Sequence, residues 1–168
     1  MIRRLIAMAG ALPRPIIIGT IVAICALCAA DTKLSAIKLQ SIAGVSVGMD
    51  LERARDVLKP LGTGGSGEEE AEERGSVKEA WSLKSGDFKT LAYKADEKGH
   101  IKWVTGWVRP GKEIPFSSIG DLKHAARSQE SQAIWNVSGP SGDFRIVARG
   151  IGAHASVITF MSLGRRED

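Results

Sequence analysis

Cysteine, tyrosine and long apolar runs are scarce in this 168-residue chain, and each scarcity excludes something. Both cysteines, Cys25 and Cys28, precede residue 31. The rest of the chain therefore has no disulfide, no thiolate nucleophile and no cysteine-bound metal. Residues 31–168 are numerous enough to bury a core without such cross-links. Only one apolar run occurs, residues 16–30, which excludes a polytopic membrane protein. Acids are absent before Asp31, whereas Arg3, Arg4 and Arg14 lie there. Of the 23 basic residues, 20 follow that segment and face 19 acids, so the formal charge of +4 shrinks to +1. A nucleic-acid footprint nearly vanishes with it. A charged fraction of 25% and a hydrophobic fraction of 43% exclude a wholly disordered or collagen-like chain. The length suits about one domain of roughly 150 residues.

Met1-Ile2-Arg3-Arg4 opens the chain with positive charge, and Pro13-Arg14-Pro15 precedes the apolar run. At 15 residues the run is shorter than the roughly 20 of a spanning helix. A positive start, a short apolar core and small residues at its end read as a secretory signal. Cys28 and Ala30 fill the small-residue positions, with cleavage before Asp31. The alternative is an uncleaved anchor with its N-terminus in the cytoplasm. Both place the folded part outside the inner membrane: periplasmic, secreted, or anchored by residues 16–30. Ile24 and Leu27 precede the cysteines where a lipid-attachment pattern wants a small residue, so both cysteines read as apolar members of the signal core.

Farther on, Asp50 introduces a helix carrying Leu51, Ala54, Val57 and Leu58 on one stripe, ended by Pro60 and Gly62. Asp50 is placed to accept from the free N–H groups of the first turn. The Gly62–Gly67 stretch lacks the lysine and hydroxyl of a phosphate loop, and five glutamates follow it within residues 68–73. It reads as a flexible solvated loop. Periodicity then changes to that of strands at 77–83, 88–94 and 100–108, separated by Ser85-Gly86-Asp87 and Asp96-Glu97-Lys98-Gly99. A second helix is expected from Ser117 or Ser118 to about Arg127, followed by strands at 133–137, 144–149 and 155–161.

The element order thus occurs twice, and some residues repeat with it. Gly48-Met49-Asp50-Leu51 matches Gly120-Asp121-Leu122, Trp81 matches Trp135, and Ser85-Gly86-Asp87-Phe88 with Ala92 matches Ser141-Gly142-Asp143-Phe144 with Ala148. His100 and Thr105 match His154 and Thr159. The expectation is an α+β fold: two tandem helix-plus-three-stranded antiparallel meander units, with helices on one face of the sheet. The first unit spans 42–109, with the Gly/Glu-rich loop at 62–74, and the second spans 117–163. Residues 31–41 and 110–116 are linkers, 1–30 the signal or anchor, and 164–168 a tail.

Val45-Ser46-Val47-Gly48-Met49-Asp50-Leu51, followed by a helix and a three-stranded meander, resembles the small envelope module of SmpA/OmlA-type outer-membrane assembly proteins. The doubling is similar in architecture to the β-lactamase-inhibitor protein family. The resemblance covers residues 42–163 and implies helices over one face of an antiparallel sheet and a role in binding proteins without catalysis. It transfers no catalytic or interface residue. The chain departs from the first family in its poor lipid-attachment site and from the second in lacking bracing cysteines.

Chemistry-bearing patterns are few. His100, His124 and His154 form no i, i+4 pair and no His-x-His, so no metal site is expected. There is no Gly-x-Ser-x-Gly elbow, and the only paired carboxylates lie in the solvated glutamate run. The expectation is no enzyme, no catalytic residue and no cofactor. Four of the nine aromatic residues are tryptophan. In strand 100–108, strict alternation puts Ile101, Trp103, Thr105 and Trp107 on one face and Lys102, Val104, Gly106 and Val108 on the other. If the valine face packs on helices, Trp103 and Trp107 point outward as interface anchors; otherwise they are core. Trp81 and Trp135 read as structural, and Phe116 as a plug between the units. The candidate protein-binding residues are accordingly Trp103, Trp107, Ile101 and Thr105. The expected function is an exported protein-binding module of the bacterial envelope, using an open sheet face toward an envelope protein. It involves no nucleic acid, and touches membrane only through an uncleaved N-terminal segment. A secreted enzyme inhibitor, or a small-ligand or lipid carrier using the same face, are the alternatives.

Overall fold

A computed structural model describes residues 36–66, 75–139 and 142–164. The signal or anchor segment, the glutamate run and the tail from residue 165 lie outside the described residues. The elements are α1 (Leu51–Leu58), β1 (Gly62–Ser66), β2 (Val77–Leu83), β3 (Phe88–Ala95), β4 (Ile101–Val108), β5 (Ile114–Pro115), α2 (Phe116–Ile119), a 3-10 turn (Leu122–His124), β6 (Arg127–Gln129), β7 (Gln132–Gly139), β8 (Gly142–Ile151) and β9 (His154–Ser162). The strands form one antiparallel sheet in the order β1-β2-β3-β4-β9-β8-β7-β6, with β5 pairing against β9.

This architecture corrects the expected fold class. Instead of two helix-plus-three-stranded units, a single nine-stranded sheet dominates, with two short α-helices of eight and four residues among the described residues. Three strands come from segments read otherwise: β5 falls in the expected linker 110–116, and the other two are edge strands. Residues 62–66 of the expected flexible loop are edge strand β1, where Gly64 lies opposite Trp81. A Cβ on Gly64 would come within 2.3 Å of the Trp81 indole, so glycine lets the ring lie flat against the edge. The expected helix at 117–127 ends at Ile119, and residues 127–129 are edge strand β6. Ile119, Leu122, Ala125 and Ala126 have helical spacing, but tertiary contacts override it. Asp121 N–H donates to the Ala36 carbonyl at 2.7 Å instead of to the preceding turn, and the Asp121 carbonyl accepts from the His124 N–H of the 3-10 turn and, at 3.0 Å, from Trp135 Nε1. Gly120 is extended there, and a Cβ on it would sit 2.9 Å from the same nitrogen.

The core follows from strand alternation plus three irregularities. Trp81, Leu91, Gly106, Ile158, Ala148 and Ala133 lie opposite one another in one row. Glu79, Tyr93, Val104, Phe160, Ile146 and Trp135 form the next. Both rows face α1, α2 and residues 36–50, whose Ile37, Ile42, Val45, Leu58, Phe116 and Ile119 join the same core. Register shifts at Lys89, Lys102 and Ser156 leave one residue unpaired in β3, β4 and β9 and sharpen the local twist. Residues 36–41, expected as part of a linker, are tied down: Lys38 N–H and Leu39 N–H both donate to the Ile119 carbonyl.

Several residues matched between the halves occupy matched places. Trp81 pairs with Leu91 as Trp135 pairs with Ile146. Leu51 N–H donates to the Gly99 carbonyl at 2.8 Å, and Phe116 N–H to the Ala153 carbonyl at 2.9 Å. Two matches shift. Phe116, not Leu122, makes the contact equivalent to that of Leu51. Ala148 sits in the core row, whereas Ala92 pairs with Thr105 on the opposite face.

Candidate binding face

Three further rows run across the side of the sheet away from the helices. Trp103 and Met161 head the first, with Lys94 and Lys78 on one flank and Arg145 and Asn136 on the other. The second is Ala80, Ala92, Thr105, Thr159, Val147 and Ile134, reaching Arg127 at the edge. The third is Ser82, Thr90, Trp107, Val157, Arg149 and Gln132. The centre is apolar and the rim basic. Thr105 and Thr159 meet across β4 and β9 with hydroxyls 2.9 Å apart, so each satisfies the other under the flanking tryptophans.

The candidate residues from the sequence divide here. Trp107 is 40% exposed, Trp103 is half-buried, and Thr105 is buried between them in the same face. Ile101 is fully buried on the other side. The cause is the extra residue at Lys102: Lys94 pairs with Trp103 while Ala95 pairs with Ile101, so strict alternation fails across that step. Val104 and Val108 are buried in the core. Ile151 escaped the sequence reading. It is 89% exposed at the β8–β9 tip, two residues beyond Arg149, in a shallow cleft with Glu113, His154 and Ser156. A large apolar residue between two turn glycines was the available signal.

The core face holds one buried charge. Glu79, 7% exposed, accepts from Arg55 Nε at 2.9 Å and from a second Arg55 nitrogen, from the Tyr93 hydroxyl, and from Trp81 Nε1 at 3.4 Å. Arg55 also reaches Glu52 at 2.6 Å. Burial pushes the Glu79 carboxyl up, but the hydrogen bonds from Arg55 and Tyr93 and the Arg55 charge outweigh it and hold the group below its ordinary value. Burial and then the Glu79 bond push the Tyr93 hydroxyl up. Every oxygen and donor is used within the cluster, which clamps α1 onto β2 and β3.

The histidines are dispersed. His100 Nδ1 lies 3.0 Å from Asp50, which therefore pairs with it instead of capping α1. His154 Nδ1 meets the Gly152 carbonyl at 2.7 Å, and His124 lies 3.8 Å from Asp121. Among the described residues no cluster of three or more His, Cys, Asp or Glu could hold a metal ion. An apolar cleft of about 230 Å³ opens beside Ile37, Val47, Val137, Phe144 and Phe160, on the side away from Trp107. No helix among the described residues is long and apolar enough to cross a membrane, and residues 16–30 lie outside them. Comparison with protein-family models, curated proteins and solved structures finds no match to the chain.

Proposed function

We propose that the chain is an exported, non-enzymatic module that binds another protein of the cell envelope through the open sheet face. The observation that carries the reading is the pairing of an apolar centre with a projecting Trp107 on a face opposite the helices. A tryptophan fixed on a paired strand loses little freedom on binding and presents a large apolar surface. Six strands at about 4.8 Å spacing make the face about 24 Å wide, and the span from Trp103 to Trp107 adds about 14 Å in the other direction. With the rim side chains included, that is on the order of the 800 Å² each partner buries in a standard interface. Export is supported by Arg3, Arg4 and the apolar run ending at Ala30.

Photo-crosslinking in cells tests the reading. Benzoylphenylalanine in place of Trp107 or Trp103 is expected to give the same discrete protein adduct, absent when the probe replaces the exposed Glu52 of α1. No adduct from either tryptophan position, or the same adduct from all three, would overturn it.

A further inference from the structure

The geometry points to a partner whose docking patch sets carboxylates opposite the basic rows around an apolar recess for Trp107, with a second apolar contact to Ile151 at the β8–β9 tip. The inference rests on the protein-binding reading above and specifies the partner's chemistry. Beyond the N-terminal segment the chain is nearly neutral, yet the rows of the open face are not. The three rows of the open face carry Lys78, Lys94, Arg127, Arg145 and Arg149 and no carboxylate. Among the described residues the acids lie outside these rows, two of them at the ends: Glu79 is in the core, Glu52 and Asp56 on α1, Asp87, Asp96 and Glu97 in turns, Asp143 two residues before Arg145 on β8, and Glu113 beside Ile151 at the β8–β9 tip. Asp96 is tied to the backbone N–H of His100 and Lys98 and to Lys102, at the end of the sheet remote from Trp107. A face of one sign selects the opposite sign and repels its own.

Ile151 sits past one end of this face, at the β8–β9 tip, where it shares a shallow cleft with Glu113, His154 and Ser156. The row of Trp107, Val157 and Arg149 is the last before the β8–β9 tip, and Ile151 follows Arg149 by two residues. Trp107 and Ile151 are two of only three large apolar side chains exposed among the described residues. Burying such an isoleucine raises affinity roughly 10- to 100-fold. A protein fits better than a bilayer because the face is not flat. Five successive strand pairs turned about 20–25° each rotate it through roughly 100–125°, which a partner protein can follow and a planar membrane cannot.

The test uses the full chain carrying benzoylphenylalanine at Trp107. The crosslinked partner peptide is expected to contain clustered Asp or Glu beside apolar residues. Adduct yield should fall about tenfold in Arg149→Glu, in Ile151→Ser and in high salt, with unchanged circular dichroism. Should Arg149→Glu perturb the fold, Arg149→Gln reads the same effect. An adduct that persists in both variants and in high salt overturns this inference but leaves protein binding standing. No adduct at Trp107 overturns both. Phosphatidylglycerol–phosphatidylcholine vesicles supply the other arm: binding lost equally in the two variants would show that the face docks on lipid and would overturn the inference.

Discussion

Replacing Glu79 removes an acceptor shared by three donors on three elements, so its cost can be worked from what remains. Glu79→Ala leaves the Tyr93 hydroxyl and the Trp81 N–H without the oxygen they use. Each unmade buried bond costs about 1–3 kcal/mol. Arg55 is only partly buried and keeps Glu52, so its charge is not stranded. The sum is about 2–6 kcal/mol, and its middle matches the roughly 3–5 kcal/mol of breaking a buried pair by deleting one partner. Thermal unfolding should then fall by about 10–20 °C for a domain of this size. Glu79→Gln keeps the volume and one acceptor oxygen and should cost about 1–3 kcal/mol. The pH dependence carries a definite sign. Glu79 is held below its unfolded value near 4.5, so its stabilisation is present above that value and is lost as pH falls through the lower folded value. The gap between wild type and Glu79→Gln should therefore be full at pH 7 and close in acid. Arg55→Met reverses the sign: the carboxylate, buried without its cation, now disfavours ionisation, so that variant should be relatively worse at pH 7 than near pH 4–5. Urea unfolding at several pH values measures all three. A Glu79→Gln cost below about 0.5 kcal/mol, with a pH slope equal to wild type, would refute the reasoning.

Trp135→Ala should cost about 3–5 kcal/mol and lose its bond to the Asp121 carbonyl, whereas Trp107→Ala should cost under about 1 kcal/mol, by chemical denaturation. Gly106→Ala should destabilise by about 1–3 kcal/mol, because its Cβ would come within 2.5 Å of Ile42 and 2.7 Å of the Phe88 ring; an unaltered midpoint would show that the core yields there. Ile42→Ala should cost about 2–5 kcal/mol, since this fully buried side chain joins residues 36–50 to the core; hydrogen exchange should show faster exchange at the Lys38 and Leu39 amides.

The strands of the two meanders and helix α1 were legible because period-2 and period-3.6 apolar spacing report local geometry directly. β2, β3, β4, β7, β8 and β9 all fall where alternation between turn residues put them. What failed was whatever a distant partner decides. Gly62–Ser66 reads as loop until Trp81 pairs across from it. The spacing at Ile119, Leu122 and Ala125 reads as helix until the Ala36 carbonyl takes the Asp121 N–H. Ile101 reads as a companion of Trp103 until the unpaired Lys102 turns it into the core. Tertiary structure alone also brought Arg55, Glu79, Tyr93 and Trp81 together, lined up Lys78, Lys94, Arg127, Arg145 and Arg149 on one face, and left Trp107 and Ile151 exposed. The physical reason is range. Turn chemistry and apolar period act within a few residues, whereas bulges, edge pairing and charge segregation are set by which strands meet and in what register.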